Sequence, residues 1–301
     1  MQPYLDIFTR VVNDHLSTPR PVTQAPQLDH LSSKLDMQLH QHGADLATLE
    51  QCLKDYLDYN PDSSQVGFFK QLYAGRNEPA VIGDWIASLS NVNMHTYQVG
   101  PVATLMEREV IKQWRALVGY QQGDGMIVPG GSQANLIAIM LARHKACPTY
   151  KTEGASGARL RAYVSDQAHY SSQKAANILG LGTDNLISVA SDNQGRLCPQ
   201  ALTTQIEADL ALGYQPFYLG LTGGTTVTGA FDPVQVCRQI ADQYDLWLHI
   251  DGAWGAPVLF PSASSPARTC IISGFIFLGC PQAYGCSSCG CRYFGERRRI
   301  T

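Results

Sequence analysis

The run Gly-Gly-Ser-Gln-Ala-Asn at residues 130–135 stands where a helix is predicted to begin, with Ser132 as its candidate cap. Glycines let a bound anion approach the backbone, and the free N–H groups of a helix start stabilise negative charge by about 0.3–1 kcal/mol. Gly131 and Ser132 are therefore candidate ligands for an anion. A capped helix after a tight turn would contain the same residues, so this motif alone leaves both interpretations open.

Two further candidates follow predicted strands. Asp251 comes directly after an apolar run, where a carboxylate can hold the nitrogen of a heterocycle protonated. His169 follows another such run, where an imidazole could stack on a flat cofactor and transfer a proton. Each also has a structural interpretation, Asp251 as the cap of a loop and His169 as a surface residue. His249, one position inside its strand, is predicted to be a core histidine.

A threonine-rich run, Gly-Thr-Thr-Val-Thr-Gly-Ala-Phe-Asp-Pro, occupies residues 224–233. Hydroxyl groups that follow a strand could contact a substituent of a bound ring, and Thr226 is the candidate for this contact. The alternative is a polar loop that caps the next helix, with Pro233 at the first helical position.

Short apolar runs at residues 161–165, 217–221 and 246–250 are predicted strands that alternate with helical segments. This alternation predicts an α/β fold with a mostly parallel sheet covered by helices on both faces. Because ligands bind at the carboxyl ends of such strands, the candidate residues should meet at that edge. Residues 1–60 instead have helical periodicity interrupted by prolines, which predicts a helical arm.

The composition is that of a globular protein: 301 residues, 45% hydrophobic and 16% charged, with a formal net charge of -3. No excess positive charge is present to attract nucleic acid. No apolar run reaches the length of a transmembrane helix, and the N-terminus lacks the layout of a signal peptide. We therefore expect a cytoplasmic protein without nucleic-acid or membrane partners.

Taken in chain order, the motifs resemble those of the group II pyridoxal-phosphate-dependent amino-acid decarboxylases, such as glutamate, aspartate and sulfinoalanine decarboxylases. They are Gly-Gly-Ser-x-x-Asn, Ser-Asp-x-x-His, Gly-Thr-Thr-x-x-Gly-x-Phe-Asp-Pro and His-Ile-Asp-x-Ala-Trp-Gly. Residues 67–72 and 91–97 resemble the branch that acts on acidic substrates, and the resemblance covers about residues 60–260. It implies the large domain of the aspartate-aminotransferase-like fold (fold type I), pyridoxal 5'-phosphate as cofactor, a small acidic L-amino acid as substrate, and a homodimer.

The resemblance also implies a role for each matching residue. Asp251 would pair with the pyridine nitrogen and His169 would stack on the ring, which makes these two the candidate catalytic residues. Substrate contacts are implied for Gln71 and Thr96. The remaining cofactor contacts are implied for Gly131 and Ser132 at the phosphate, Thr226 near the ring oxygen and Ala253 on the ring face.

The lysine that this resemblance requires is missing. Such enzymes hold the cofactor on a lysine some tens of residues after the aspartate, in an Asp-Ala-His-Lys setting, but no lysine follows Lys174. The resemblance stops near Phe260, and five of the nine cysteines lie within residues 270–291. We infer that this tail is the family's sequence in a shifted reading frame. Codons begun one base later there permit Asp-Ser-Phe-Ser-Trp-Asp-Ala-His-Lys-Leu-Met-Gly-Val-Pro.

Three regions are thus expected: an N-terminal helical arm at residues 1–75, an incomplete cofactor-binding domain at 76–260, and a non-family tail at 261–301. We expect the family's C-terminal small domain to be absent and the chain as written to be inactive. Another lyase or a transaminase of the same fold, and a non-catalytic remnant, are the alternatives. Cys286 and Cys289 lack a second ligand pair at zinc-site spacing, so no metal is expected.

Overall fold

The computed structural model describes residues 1–18, 26–38, 40–69, 75–120, 122–155 and 157–259. This part of the chain divides into two compact units, of which the first is Met1–Asn91 and the second begins at Val92. The boundary predicted at residue 75 lies within the first unit and stays a prediction. The predicted tail at 261–301 lies outside the described residues.

The first unit is helical, as the periodicity of residues 1–60 predicts. Its helices are α1 (Gln2–Ser17), α2 (Leu28–Lys34), α3 (Leu46–Tyr59) and α4 (Glu78–Ser90). Helix α3 begins where the side chain of Asp45 accepts a hydrogen bond from the backbone N–H of Thr48 at 2.8 Å. Helices α1 and α3 pack together, and Arg10 donates two hydrogen bonds to Glu50 across them, at 3.1 and 2.6 Å.

The second unit alternates helices with strands. Its helices are α5 (Pro101–Leu117), α6 (Gly131–Ala146), α7 (Tyr150–Glu153), α8 (Ser171–Ile178), α9 (Pro199–Ala211) and α10 (Val234–Gln243), and its strands are β1 (Leu160–Ser165), β2 (Leu186–Val189), β3 (Gln215–Thr222) and β4 (Trp247–Asp251). The three predicted strands correspond to β1, β3 and β4. No helix in the described part of the chain is both long enough and apolar enough to cross a membrane.

The four strands form one sheet in the order β2-β1-β3-β4, and every neighbouring pair is parallel. Thr222 at the end of β3 pairs with Asp251 at the end of β4, and Ser165 pairs with Val189 across β1 and β2. The predicted parallel sheet is confirmed. The segments that follow β1, β3 and β4 therefore leave the sheet at one common edge.

Apolar cores cover both faces of this sheet because alternate residues of each strand point to opposite faces. On one face, Ala162 of β1 belongs to a cluster with Ile139 of α6. On the other face, Tyr163 belongs to a cluster with Leu202 of α9. Full burial of a leucine or isoleucine side chain contributes about 1.5–3 kcal/mol, so these clusters hold the helices on the sheet.

Two helices begin differently from the prediction. The predicted cap at Ser132 is wrong, because Gly130 is the N-cap residue of α6 and Ser132 lies in its first turn. Gly130 has a φ of 104°, a left-handed conformation that glycine adopts without steric cost. Pro233 is the N-cap residue of α10 and not its first helical residue.

Candidate functional site

Asp251 ends strand β4 at the carboxyl edge of the sheet, where the sequence predicts it. Its Oδ2 accepts a hydrogen bond from Nδ2 of Asn135 at 2.8 Å, and its Oδ1 accepts one from the backbone N–H of Ala253 at 3.0 Å. The side chain is only partly buried. Each carboxylate oxygen has two lone pairs, so the anchored group can still accept a hydrogen bond from a protonated ligand nitrogen.

The start of helix α6 lies against the loop that follows Asp251. A Cβ built on Gly131 would stand 3.3 Å from the Cβ of Ala253. Within the described chain, the backbone N–H groups of Gly131 and Ser132 donate to no protein acceptor. These two donors stand at the positive end of a 16-residue helix and can bind an anionic group.

His169 lies in the turn between β1 and α8 and is partly buried. Its Nδ1 is 2.9 Å from the hydroxyl oxygen of Ser171, and the backbone N–H of Ser171 donates to the same nitrogen at 3.2 Å. The ring of Tyr170 is tilted over the imidazole, with the ring centroids 4.2 Å apart. One edge of the imidazole is therefore fixed by α8.

Asn135 joins these groups into one hydrogen-bond network. Its Nδ2 donates to Asp251 and also to the hydroxyl oxygen of Ser171 at 2.9 Å, and its Oδ1 is 2.8 Å from Nε2 of His249. Asn135 and His249 are both buried, with 3% and 2% of their surfaces exposed. His249 is the core histidine that the sequence predicts, and the network links it to Asp251 and to His169.

Sequence reasoning missed the roles of Asn135 and Ser171. Asn135 is the last residue of the Gly-Gly-Ser-Gln-Ala-Asn run and lies on the buried side of a helix beside Ala134, Ala138 and Ile139. A polar residue on an otherwise apolar helix face was the available signal, because a buried amide requires hydrogen-bond partners.

Thr226 is exposed in the loop between β3 and α10, at the same edge of the sheet. Its neighbour Thr225 is buried and holds the loop together: its Oγ1 accepts the N–H of Ala230 at 3.0 Å and lies 2.7 Å from Oγ1 of Thr228. Thr225 is thus the structural member of the pair, and Thr226 is the one accessible to a ligand.

Two buried groups behind this edge have raised pKa values. Burial raises the pKa of Tyr218 well above its usual value, and the negative charge of Asp251 adds to the effect. Burial also raises the pKa of Asp232, whose oxygens accept the backbone N–H groups of Leu197 and Thr222 at 2.7 Å each. Tyr218 therefore stays neutral below the site, and Asp232 anchors the end of β3.

The predicted substrate contacts at Thr96 and Gln71 stay predictions. Thr96 is exposed in the turn before α5, where its carbonyl oxygen accepts the N–H groups of Val99 and Gly100. In the described chain, no hydrogen bond connects Thr96 with the Asp251 network. Gln71 lies outside the described residues. No group of three or more metal-ligating side chains occurs among the residues that the structure describes.

Known proteins share this sequence pattern. Residues 29–271 match the family described as "Pyridoxal-dependent decarboxylase conserved domain". The acidic amino acid decarboxylase GADL1 of Xenopus tropicalis is 38% identical over 259 residues, which are 84% of this chain and 51% of that protein. The cysteine sulfinic acid decarboxylase of Homo sapiens is also 38% identical over 259 residues, 84% of this chain and 52% of that protein.

The fold has matching solved structures. The crystal structure of mouse CSAD in apo form superposes with a TM-score of 0.83 at 36% identity, over 86% of this chain and 56% of that chain. The tryptophan decarboxylase of Catharanthus roseus superposes with a TM-score of 0.76 at 22% identity and covers 90% of this chain and 63% of that one. The predicted fold class is confirmed. The chain spans about half the length of the curated relatives it matches.

Proposed function

Since the chain belongs to the family of pyridoxal-dependent decarboxylases, we propose that it binds pyridoxal 5'-phosphate at the carboxyl edge of the sheet and that its ancestral reaction is decarboxylation of a small acidic L-amino acid. One observation carries the proposal: Asp251 ends β4 with its carboxylate held by Asn135, beside a helix start with two unpaired N–H donors. A protonated pyridine nitrogen needs a carboxylate to accept its hydrogen bond, and a phosphate needs N–H groups that donate to it.

The residues present fit this cofactor at both ends. The N–H groups of Gly131 and Ser132 would hold the phosphate, because they have no acceptor in the described chain. Ala253 stands beside Gly131, with only 3.3 Å between its Cβ and a Cβ placed on the glycine. A side chain at position 131 would crowd Ala253. The two residues are therefore close enough to hold one cofactor, with Ala253 as the contact for its ring and Gly131 for its phosphate.

The other contacts are assigned from the same edge. His169 would stack on the opposite face of the ring, because its imidazole is fixed by Ser171. Thr226 would lie near the ring oxygen, since it is exposed there while Thr225 is buried. Gln71 and Thr96 are retained as proposed substrate contacts.

The bound cofactor supplies an electron sink for the electron pair left on the substrate when CO2 departs. Asp251 would keep the pyridine nitrogen protonated by accepting its hydrogen bond and by its negative charge, and each unit of pKa that it adds there would correspond to about 1.4 kcal/mol. Asn135 and the N–H of Ala253 hold the carboxylate in place for this contact. His169 would cover the ring, and the helix start of α6 would neutralise part of the phosphate charge.

The acidic substrate class rests on two supports. The relatives that match at 38% identity are an acidic amino acid decarboxylase and a cysteine sulfinic acid decarboxylase. The runs at residues 67–72 and 91–97 resemble the same branch. Aspartate, glutamate and cysteine sulfinate are therefore the substrates to test.

We propose that the chain as written does not turn over, because no lysine follows Lys174 and the family requires one to hold the cofactor covalently. The cause would be a shifted reading frame after about Phe260. The nucleotide sequence of this region tests the idea, together with the peptide masses of the expressed protein. An uninterrupted frame through the cysteine-rich tail would contradict it.

The proposed function has a direct binding test. Equilibrium dialysis should show that the chain as written retains pyridoxal phosphate and that Asp251→Asn lowers the affinity at least about tenfold, a loss of about 1.4 kcal/mol. Asp242→Asn, on the exposed side of α10, serves as the control and should bind normally. Equal affinity of all three proteins would contradict the role of Asp251.

Activity is tested on a protein in which the lysine segment is restored. Release of CO2 from aspartate, glutamate or cysteine sulfinate is expected from the restored protein and not from the chain as written. Turnover by the chain as written would overturn the proposed inactivity. Amine transfer without CO2 release would favour a transaminase of the same fold.

We also propose a cytoplasmic homodimer. In the described chain, helix α4 leaves Ile82, Ile86 and Leu89 exposed along one side, and a second copy would remove this apolar surface from water. Light scattering should give twice the mass of the chain, and serines at these three positions should yield a monomer. A monomeric wild-type protein would contradict the dimer. Fluorescent tagging in cells tests the location.

A further inference from the structure

A continuous chain of hydrogen bonds runs from Asp251 to His169. Asn135 lies 2.8 Å from Asp251 and 2.9 Å from Ser171, and Ser171 lies 2.9 Å from Nδ1 of His169. The residues that precede His169 in this chain come from three separate elements, β4, α6 and the start of α8. Asn135 and Ser171 are both buried, with 3% and 2% of their surfaces exposed, so water does not compete for the central bonds.

The direction of each bond follows from the first. An ionised carboxylate can only accept, so the amide nitrogen of Asn135, and not its oxygen, must face Asp251. That nitrogen has a second hydrogen, which it donates to the hydroxyl oxygen of Ser171. The amide oxygen is left to accept from Nε2 of His249. The charge on Asp251 thus fixes the orientation of the Asn135 side chain.

The hydroxyl of Ser171 transmits this orientation to His169. Because its oxygen accepts from Asn135, its hydrogen is available for Nδ1 of His169. The backbone N–H of Ser171 points at the same nitrogen from 3.2 Å. Two donors directed at Nδ1 require an unprotonated nitrogen there, so the proton of the neutral imidazole resides on Nε2.

We propose that Asn135 and Ser171 are positioning residues that couple the charge of Asp251 to the tautomer of His169. When Asp251 is ionised, the network keeps the proton of the neutral His169 ring on Nε2. That N–H is then the one group of the ring that can donate a hydrogen bond. A side chain at position 251 that can itself donate a hydrogen bond releases the Asn135 amide from this orientation. The consequence for catalysis rests on the proposed function, but the coupling itself requires no cofactor.

The coupling can be measured on the cofactor-free protein from the ¹⁵N resonances of the histidine rings at about pH 8, where imidazole is neutral. His169→Gln assigns the signals. In the wild-type protein we expect an unprotonated Nδ1 and a protonated Nε2. Asp251→Asn should shift the Nδ1 resonance of His169. The same substitution should leave that resonance unmoved in a Ser171→Ala background, because the relay is then broken.

Two further variants test whether the hydroxyl of Ser171 is the group that transmits the effect. Ser171→Thr keeps a hydroxyl and should preserve the response to Asp251→Asn. Ser172→Ala alters the neighbouring buried serine, whose backbone N–H donates to the carbonyl oxygen of His169 and not to its ring, and should also preserve it. The proposal is overturned by a protonated Nδ1 in the wild-type protein, by no shift on Asp251→Asn, or by an equal shift with Ser171→Ala. Because no cofactor is present, such a failure is separate from failure of cofactor binding.

Discussion

The carbonyl oxygen of Gly223 lies so close to Gly255 that a Cβ on Gly255 would be only 2.1 Å from it. Gly224 makes a second such approach, since its φ is 91° and a Cβ there would lie 2.8 Å from the Cα of Gly255. These contacts join the loop after β3 to the loop after β4. Because those loops carry Thr226 and Ala253, the distance between these two residues depends on the contacts of the glycines.

We expect Gly255→Ala to lower the free energy of unfolding by about 1–3 kcal/mol, because the added methyl group must displace backbone. Gly83→Ala is the matched control: it lies inside α4, and a Cβ placed on it would have no other atom within 4 Å. In a helix interior, alanine should raise stability by about 0.8–1 kcal/mol. Urea denaturation measures both changes. Wild-type stability of Gly255→Ala would show that the loops are not in contact.

Replacement of the Asp232 carboxylate by an amide should destabilise the fold. Each of its oxygens accepts a backbone N–H, from Leu197 and from Thr222. In Asp232→Asn, one of these donors would face an NH2 group, so we expect a loss of about 1–3 kcal/mol. Asp242→Asn, an exposed residue of α10 paired with Arg238, should change stability by less than about 1 kcal/mol. Equal effects of the two substitutions in urea denaturation would contradict this assignment.

The contribution of Asp232 to the free energy of unfolding should decrease as the pH rises. Burial raises its pKa in the folded protein, so the folded state binds a proton more readily than the unfolded state. Its contribution to stability is therefore fully present below the unfolded pKa and decreases as the pH rises through the folded pKa. Urea denaturation of wild type and Asp232→Asn from about pH 3 to about pH 7 should give a difference that shrinks as the pH rises. If the stability difference between wild type and Asp232→Asn grew as the pH rises, the pKa of Asp232 would be lowered in the folded protein and not raised.

The cysteines should differ in reactivity. Burial raises the pKa of Cys237 to about 12, and Asp232 contributes to the shift. Cys52 is exposed on α3. Since the thiolate is the reactive form, iodoacetamide at about pH 8 should label Cys52 and spare Cys237 until the protein is unfolded. Peptide mass spectrometry reports each site, and native labelling of both at one rate would contradict the burial of Cys237.

The sequence was sufficient for features that depend on local pattern. The apolar run at 246–250 followed by Asp251 predicted a strand that ends at the carboxyl edge, and β4 ends at that residue. Strand β2 was not predicted, because it has only four residues and its buried positions are the two ends, Leu186 and Val189. So short a segment has no period that distinguishes a strand from a loop.

The hydrogen-bond network was beyond reach of the sequence for a different reason. Asn135 is 36 residues from Ser171 and 116 residues from Asp251, and only the packing of α6 against β4 and α8 brings them together. The failed cap at Ser132 has a local cause: Gly130 adopts a positive φ and becomes the N-cap residue ahead of the serine.

The protonation of the bound ring nitrogen tests the central role of Asp251 most directly. Pyridoxal phosphate labelled with ¹⁵N in the ring can be observed by NMR when bound to the wild-type chain and to Asp251→Asn, at a pH where the free ring nitrogen is unprotonated. We expect a protonated nitrogen in the wild-type complex and an unprotonated one in the variant. An unprotonated nitrogen in both complexes, or a ring that the wild-type chain does not retain, would contradict the assignment.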